Sequence, residues 1–489
     1  MSEAVARPFV TSPRLYLANS GRQDAAAVAV LVVLTLIFGL PVLGLEYPDD
    51  GFYSEAAHLW AQGAPPYIAV FDIKAPGYFA LLALAQMAFG PTLSTIHGLS
   101  LACDLATALA IYAIGRRLEA RRAGFAAAAT FVPLAIFLLE NEAYPPLVLA
   151  ETLAFLAALR PAGDLRRAAF SGLACGVAIA LKQTAVLEAA ALAVVFLRGR
   201  QPPAMLAFLA ATAAVPLAFV AYYARLGGLD ALFQDVVVDA LRRPSIQGFS
   251  FFAEGSLFFS KLLVLGPLSL LTLCVSLRLR TPPPGLCWEH AAVLRAWLLA
   301  ALVELMAQFG NDLNYLSELL PPALLWACLY AERSGRKNAA ATLASVAVAT
   351  VGYFALVRII SVRTEVDETA TRQVAAIVES AHPKPGDKLL GLDFALWANV
   401  ATDLAPPTPF FHRMHLLCAF PGAGPERLAE AFAARPRFLV FGPHRRTRFD
   451  CASDSAGWGV IDDERTTNYL AIGDVRGKAG NYIVYERAR

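Results

Sequence analysis

Two adjacent carboxylates, Asp49 and Asp50, stand directly after the first long apolar segment, and Lys74 closes the interruption that they open. An acid and a cation fixed at a membrane surface suit group transfer from a lipid-borne phosphate. The acid takes the proton of an acceptor hydroxyl as the new bond forms, and cations receive the charge that grows on the departing phosphate. Further cations recur: Lys182 inside AIALKQTAV, and Arg242 and Arg243 in a second long polar loop. Arginine grips phosphate through two parallel hydrogen bonds, whereas lysine acts as a point charge. Each residue also has a plainer reading. Paired aspartates commonly cap a short helix, and a lone cation beside apolar sequence commonly snorkels to the interface. What favours chemistry is that acids and cations recur on one face of the same chain.

The elements that must hold these groups follow from composition. Of 489 residues, 57% are hydrophobic and 16% charged, with a mean hydropathy of +0.53. A water-soluble domain carries roughly 25% charge. Repeated apolar runs of about 20 residues therefore predict a polytopic α-helical membrane protein. The net charge of +2 and the absence of a basic tract give no support to nucleic acid as a partner.

Residues 1–24 read as a cytoplasmic tail and residues 25–45 as an uncleaved first span. The stretch 47–77 is punctuated by Pro48, Gly51, Gly63, Pro65, Pro66, Pro76 and Gly77, so it reads as a folded loop with short helices. Residues 78–89 are apolar but too few to cross a core about 30 Å thick, which predicts a re-entrant or surface-lying helix. Later spans are expected near 95–115, 124–139, 145–160, 168–181, 184–198, 203–224, 258–279, 290–309, 315–331 and 338–360. Loops RRLEARR, RPAGDLRR, RGR, RLR and ERSGRK then share the side of the N-terminus, while ENEAYPP and GNDLNY carry no lysine or arginine. Positive charge is retained in short cytoplasmic loops. The expected arrangement is about eleven spans over 25–360, N-terminus inside and C-terminus outside, with external loops 46–94 and 225–257.

From 361 to 489 the composition turns soluble. KLLGL, RFLVFG, NYLAIG and NYIVYER read as strands, and TRQVAAIVESA and ERLAEAFAA as helices, giving a small extracytoplasmic α/β domain. The seven cysteines have no CxxC or CxxH spacing; Cys418 and Cys451 can pair if that domain faces an oxidising compartment. External polar residues Glu140, Asn141, Glu142, Tyr144, Asn311, Asp312, Asn314 and Tyr315 are candidates to line a cavity. His58 and His97 lack a second ligand at helical spacing, which argues against a metal. Asp104, Glu151, Glu188 and Glu304 lie inside apolar runs, where a carboxylate needs a partner or water.

The run PDDGFYSEAAHLWAQGAPPY followed by DIKAP resembles the first external loop of GT-C membrane glycosyltransferases, in the branch of protein O-mannosyltransferases and the lipid A aminoarabinose transferase. LKQTA and NDLNYLSELLPPALLWA are also similar to that branch. The resemblance covers the first 360 residues in outline, its motifs only some tens of them. It implies a GT-C-like fold, a polyprenyl-phosphate sugar donor, a lipid, glycan or protein acceptor, and inversion of the anomeric centre. It also implies a general base at Asp49, with Asp50 where the branch has glutamate. Lys74 and Lys182 match its lysines, with Arg242 and Arg243 as further phosphate ligands. Tyr53, Tyr67, Glu142, Asn314 and Tyr315 become expected substrate contacts. No cofactor is firmly implied, although some GT-C enzymes hold a divalent metal. The expected location is the bacterial inner (plasma) membrane. A transporter or flippase for a lipid-linked or anionic solute is the rival, since it too would use intramembrane acids; the chain lacks the repeated halves common in transporters.

Overall fold

The computed structural model describes residues 13–46, 49–138, 143–159, 164–199, 202–242, 283–307, 313–333, 366–392, 395–417, 424–442, 454–477 and 480–488. The expected spans at 258–279 and 338–360 lie outside them, as do Glu140, Asn141, Glu142, Arg243, Asn311, Asp312, Cys418 and Cys451.

Helix α1 (Pro13–Gly39) ends in a 3-10 turn, Leu40–Val42, and a two-residue strand β1 (Leu45–Glu46). Then come α2 (Asp50–Ala61), α3 (Pro76–Phe89), α4 (Leu93–Arg117), α5 (Arg121–Leu138), α6 (Tyr144–Ala158), α7 (Leu165–Leu181), α8 (Val186–Arg198) and α9 (Pro202–Arg225). A short α10 (Leu229–Phe233) runs into a π-turn, Gln234–Asp239. Helices α11 (Trp288–Ala307) and α12 (Leu320–Arg333) complete the described bundle.

Among the described residues, three helical stretches, Gly21–Val42, Leu93–Arg117 and Pro202–Arg225, are long and apolar enough to cross a membrane. Their packing explains where they sit. Helix α1 leaves Val33, Leu36 and Ile37 exposed, and α9 leaves Leu206, Leu217 and Val220 exposed. Apolar faces of this extent are stable against hydrocarbon and not against water. Helix α9 is seated on α7 where Gly172 and Gly176 meet the carbonyls of Phe208 and Thr212; a β-carbon at Gly176 would lie 2.6 Å from the Thr212 oxygen. Small residues four apart let two backbones approach in this way. Helix α3 has 14 residues and so extends only about 21 Å at 1.5 Å per residue. Inside the bundle, the rings of Phe155 and Trp297 stack at 4.8 Å.

The C-terminal part begins with β2 (Val366–Asp367), which pairs antiparallel with β1. It continues through α13 (Glu368–Ser380), β3 (Leu389–Leu392), α14 (Trp397–Thr402), α15 (Arg413–Leu417), α16 (Gly424–Ala433), β4 (Phe438–Phe441), α17 (Asp454–Asn468), β5 (Tyr469–Arg476) and β6 (Asn481–Arg487). The sheet order is β3-β4-β6-β5, with β3 and β4 parallel and the other pairs antiparallel. Its two faces are filled by Val374, Val378, Phe438 and Val484, and by Leu390, Leu428, Phe432 and Leu439. The β1–β2 pairing and the packing of α14 on α2 set this domain on the same side of the bundle as the acid loop.

Candidate active site

Asp49 is the N-cap residue of α2, yet its side chain makes no capping hydrogen bond. The helix-capping alternative therefore does not account for it. Its Oδ1 instead lies 3.3 Å from Nε2 of His412, a residue of the C-terminal domain, and its side chain is 38% exposed. Asp50, the next residue, points the other way and is 1% exposed. Its Oδ2 lies 3.1 Å from Nε2 of His97 on α4, and Nδ1 of His97 donates to the Val42 carbonyl at 2.7 Å.

The small domain is pressed onto this turn. A β-carbon at Gly51 would stand 2.5 Å from the Trp397 backbone nitrogen, so only glycine permits the approach. Phe52 packs against Phe411 and His412. On the far end of α2, Asp403 accepts hydrogen bonds from His58 at 2.8 Å and Gln62 at 2.9 Å; these hold its carboxyl below the usual range. Glu55, buried between those ends, is pushed up to about 8 by loss of solvation and by Asp403.

The loop returns to the same place at Lys74. The backbone N–H of Lys74 donates to Oδ1 of Asp72 at 3.0 Å, and the Lys74 ammonium sits 4.2 Å from the centre of the Tyr53 ring, a cation–π contact. Asp72 is 4% exposed. Burial pushes it up to about 7, against backbone hydrogen bonds and the nearby His412, while Asp49 adds to the rise. Asp49, Asp72 and His412 thus interact electrostatically, and the Lys74 backbone joins them through its hydrogen bond to Asp72. The Ile73 carbonyl accepts from Gln183 at 3.0 Å, and a β-carbon on Gly77 would meet the Ala180 carbonyl at 2.5 Å. These contacts clamp the loop end to the end of α7.

Lys182 lies at that same helix end. Its ammonium donates to Glu318 at 2.7 Å and to the Tyr144 hydroxyl at 2.9 Å, with Glu304 at 3.9 Å. The rings of Tyr144 and Tyr315 flank it at 4.2 and 5.3 Å. The Lys182 ammonium thus lies among the buried carboxylates of Glu304 and Glu318, whose charge it offsets. Glu304 also accepts from Thr184.

Three of the intramembrane acids converge: oxygens of Glu151, Glu188 and Glu304 all lie within 4.8 Å of one another. Among the described residues this is the group with the spacing to hold a metal ion, and it belongs to the Lys182 cluster, not to the acid pair.

Other expected residues are dispersed. Tyr67 is 7% exposed, adopts φ +65°, and donates its hydroxyl to the Lys74 carbonyl at 2.5 Å, which shapes the loop. Tyr53 lies beneath Lys74 and is 3% exposed. Arg242 is exposed and pairs with Asp239 at 3.7 Å. Asn314 is buried and Tyr315 borders Lys182. Sequence reasoning missed His412, Asp72 as a neighbour of the acid pair, and His97 as the partner of Asp50. Asp72 stood in the DIKAP motif, two residues before the lysine; the two histidines carried no local signal.

No protein-family model and no curated protein sequence matches the chain. Solved structures do. ArnT from Cupriavidus metallidurans, bound to undecaprenyl phosphate, superposes with a TM-score of 0.61 at 13% identity over 94% of this chain and 97% of that one. The same protein in the apo state gives 0.61 at 13% identity, over 96% and 98%. The oligosaccharyltransferase of Archaeoglobus fulgidus, in complex with zinc and sulfate, gives 0.51 at 12% identity over 86% and 67%. The likeness to GT-C enzymes read from the first loop is thus borne out at the level of the fold.

Proposed function

We propose that this chain, built on the fold of ArnT and of an archaeal oligosaccharyltransferase, is a membrane glycosyltransferase that takes a sugar from a polyprenyl-phosphate donor. The transfer is to an acceptor hydroxyl on the extracytoplasmic side, with inversion. Support comes from one observation above all: Asp49, Asp72, Lys74 and His412 gather on the face shared by α2 and the C-terminal domain, in a fold whose counterpart has been solved with undecaprenyl phosphate.

In this reading the donor phosphate lies against Lys74, whose position over Tyr53 keeps its ammonium in a partly dry setting where a point charge is strong. Asp49, the more exposed acid, takes the acceptor proton while the acceptor oxygen bonds to the anomeric carbon. The carbon–oxygen bond to the lipid phosphate breaks, and Lys74 receives the charge that builds there. Arg242, exposed and 3.7 Å from Asp239, is taken as a second cation for the phosphate. The docked domain excludes water, so the sugar reaches the acceptor and not hydroxide.

The test is incubation of nanodisc-embedded protein with labelled polyprenyl-phosphate sugars and membrane acceptors. The wild type is expected to label an acceptor, and Asp49→Asn to lose the label while inserting normally; unchanged transfer by the variant overturns the base assignment. A second reading rests on the Glu151, Glu188 and Glu304 group with Lys182, which suits an ion or proton path in a transporter. Solute movement into vesicles with no bond formed would favour it.

A further inference from the structure

We propose that His97 divides the labour of the two aspartates: it holds Asp50 in a buried pair of zero net charge, as a positioning residue, and so leaves proton abstraction to Asp49. The inference rests on the function proposed above and assigns roles to His97 and to Asp50, which stands where the GT-C branch has glutamate.

The argument is an accounting of protons. His97 and Asp50 are each 1% exposed, so bulk water does not complete their hydrogen bonding. Nδ1 of His97 is 2.7 Å from the Val42 carbonyl oxygen. A carbonyl only accepts, so Nδ1 carries a proton. Nε2 of the same ring is 3.1 Å from Oδ2 of Asp50. A neutral imidazole with its proton on Nδ1 would turn a lone pair toward the carboxylate, and the contact would be repulsive. One more proton therefore lies between Nε2 and Oδ2. Whether it is written as imidazolium and carboxylate or as imidazole and carboxylic acid, the pair sums to zero.

Two consequences follow for the chemistry. The acceptor reaches Asp49, whose side chain is 38% exposed, and not Asp50, which is enclosed by α4, the Leu40–Val42 turn and the small domain at Gly51. In addition, the neutral pair spares the site a second anion directly beside Asp49 and close to the incoming phosphate, where like charges repel across a poorly screened gap.

The test has a spectroscopic arm and a kinetic arm. Protein with 15N-labelled histidine is examined by NMR in nanodiscs at neutral pH, and the His97 signals are assigned by their loss in His97→Gln. A directly bonded proton on Nδ1 of His97 is expected together with an Nε2 signal of a protonated or strongly hydrogen-bonded nitrogen; a bare Nδ1, or an Nε2 with the shift of an unprotonated nitrogen that accepts no hydrogen bond, overturns the proposal. In the kinetic arm, Asp50→Asn keeps a neutral partner whose amide donates to Nε2, and its turnover is expected to fall by about tenfold, against about 10³-fold for Asp49→Asn. Asp50→Ala, which leaves His97 with no partner there, is expected to fall well below Asp50→Asn. Equal losses in Asp50→Asn and Asp49→Asn overturn the division of roles. If the wild type transfers no sugar, the proposed function fails while the NMR arm still decides the state of the pair.

Discussion

Nε2 of His412 lies 3.3 Å from Oδ1 of Asp49 although 363 positions separate them in the chain. The acid therefore depends on a domain made long after it. A base must be held within a fraction of an ångström of its productive position. His412→Ala is expected to lower turnover by up to about 10²-fold with little change in donor KM, measured by steady-state transfer. A change confined to KM would show that His412 binds substrate and does not orient Asp49.

The docking of that domain is tested at Gly51. Its β-carbon position is 2.5 Å from the Trp397 nitrogen, so Gly51→Ala forces α2 and α14 apart. A cost of about 1–3 kcal/mol is expected from overpacking, seen as a lower unfolding temperature and earlier proteolysis within residues 366–488. An unaltered proteolysis pattern would mean that the contact is not needed for docking.

Lys74, whose ammonium sits over the Tyr53 ring, is the cation proposed for the donor phosphate. Lys74→Ala is expected to raise donor KM by about 10- to 100-fold, as loss of a charged contact of about 1.5–3 kcal/mol does. Titration of turnover against labelled donor checks it, and an unchanged KM removes Lys74 from the phosphate site.

Lys182, in contrast, is expected to act on stability. Removing it strands the buried carboxylates of Glu304 and Glu318, at a cost of about 3–5 kcal/mol. Lys182→Met is expected to reduce the yield of monodisperse protein on size exclusion, and adding Glu318→Gln to restore part of it. A single variant as stable as the wild type would show that the cluster is already neutral without the lysine.

Acidity supplies another test. Burial raises Glu55 from 4.5 to about 8 and Asp72 from 3.8 to about 7. Between the unfolded and folded values the native protein keeps protons that the unfolded chain has lost. Stability therefore falls as pH rises through that window, by up to about 1.4 kcal/mol per pH unit for each group. Unfolding temperature should decline from about pH 5 to about pH 8, and Glu55→Gln should flatten the decline. A variant curve parallel to the wild type would refute the assignment.

What sequence could and could not reveal follows from distance along the chain. Asp49, Asp50 and Lys74 sit in one short stretch, so their pattern was readable, and so was the apolar periodicity of α4 and α9. Lys182 was readable as a buried charge but not its partners, because Glu304 and Glu318 come from elements 120 and more residues away. A cation looks the same in sequence whether it faces a phosphate or a carboxylate. His97 and His412 were unreadable as partners of the acid pair for the same reason: pairing across α4 or across the whole chain leaves no spacing to detect. The backbone turn of Tyr67 at φ +65° and its hydrogen bond to the Lys74 carbonyl were likewise not readable from its place in a motif.

The short ladder of Leu45 and Glu46 with Val366 and Asp367 also sets an order in time. A ribosome releases the first strand long before it makes the second, so the loop bearing the acid pair waits unfastened through most of translation. A prematurely terminated product would lack both that ladder and the His412 contact to Asp49.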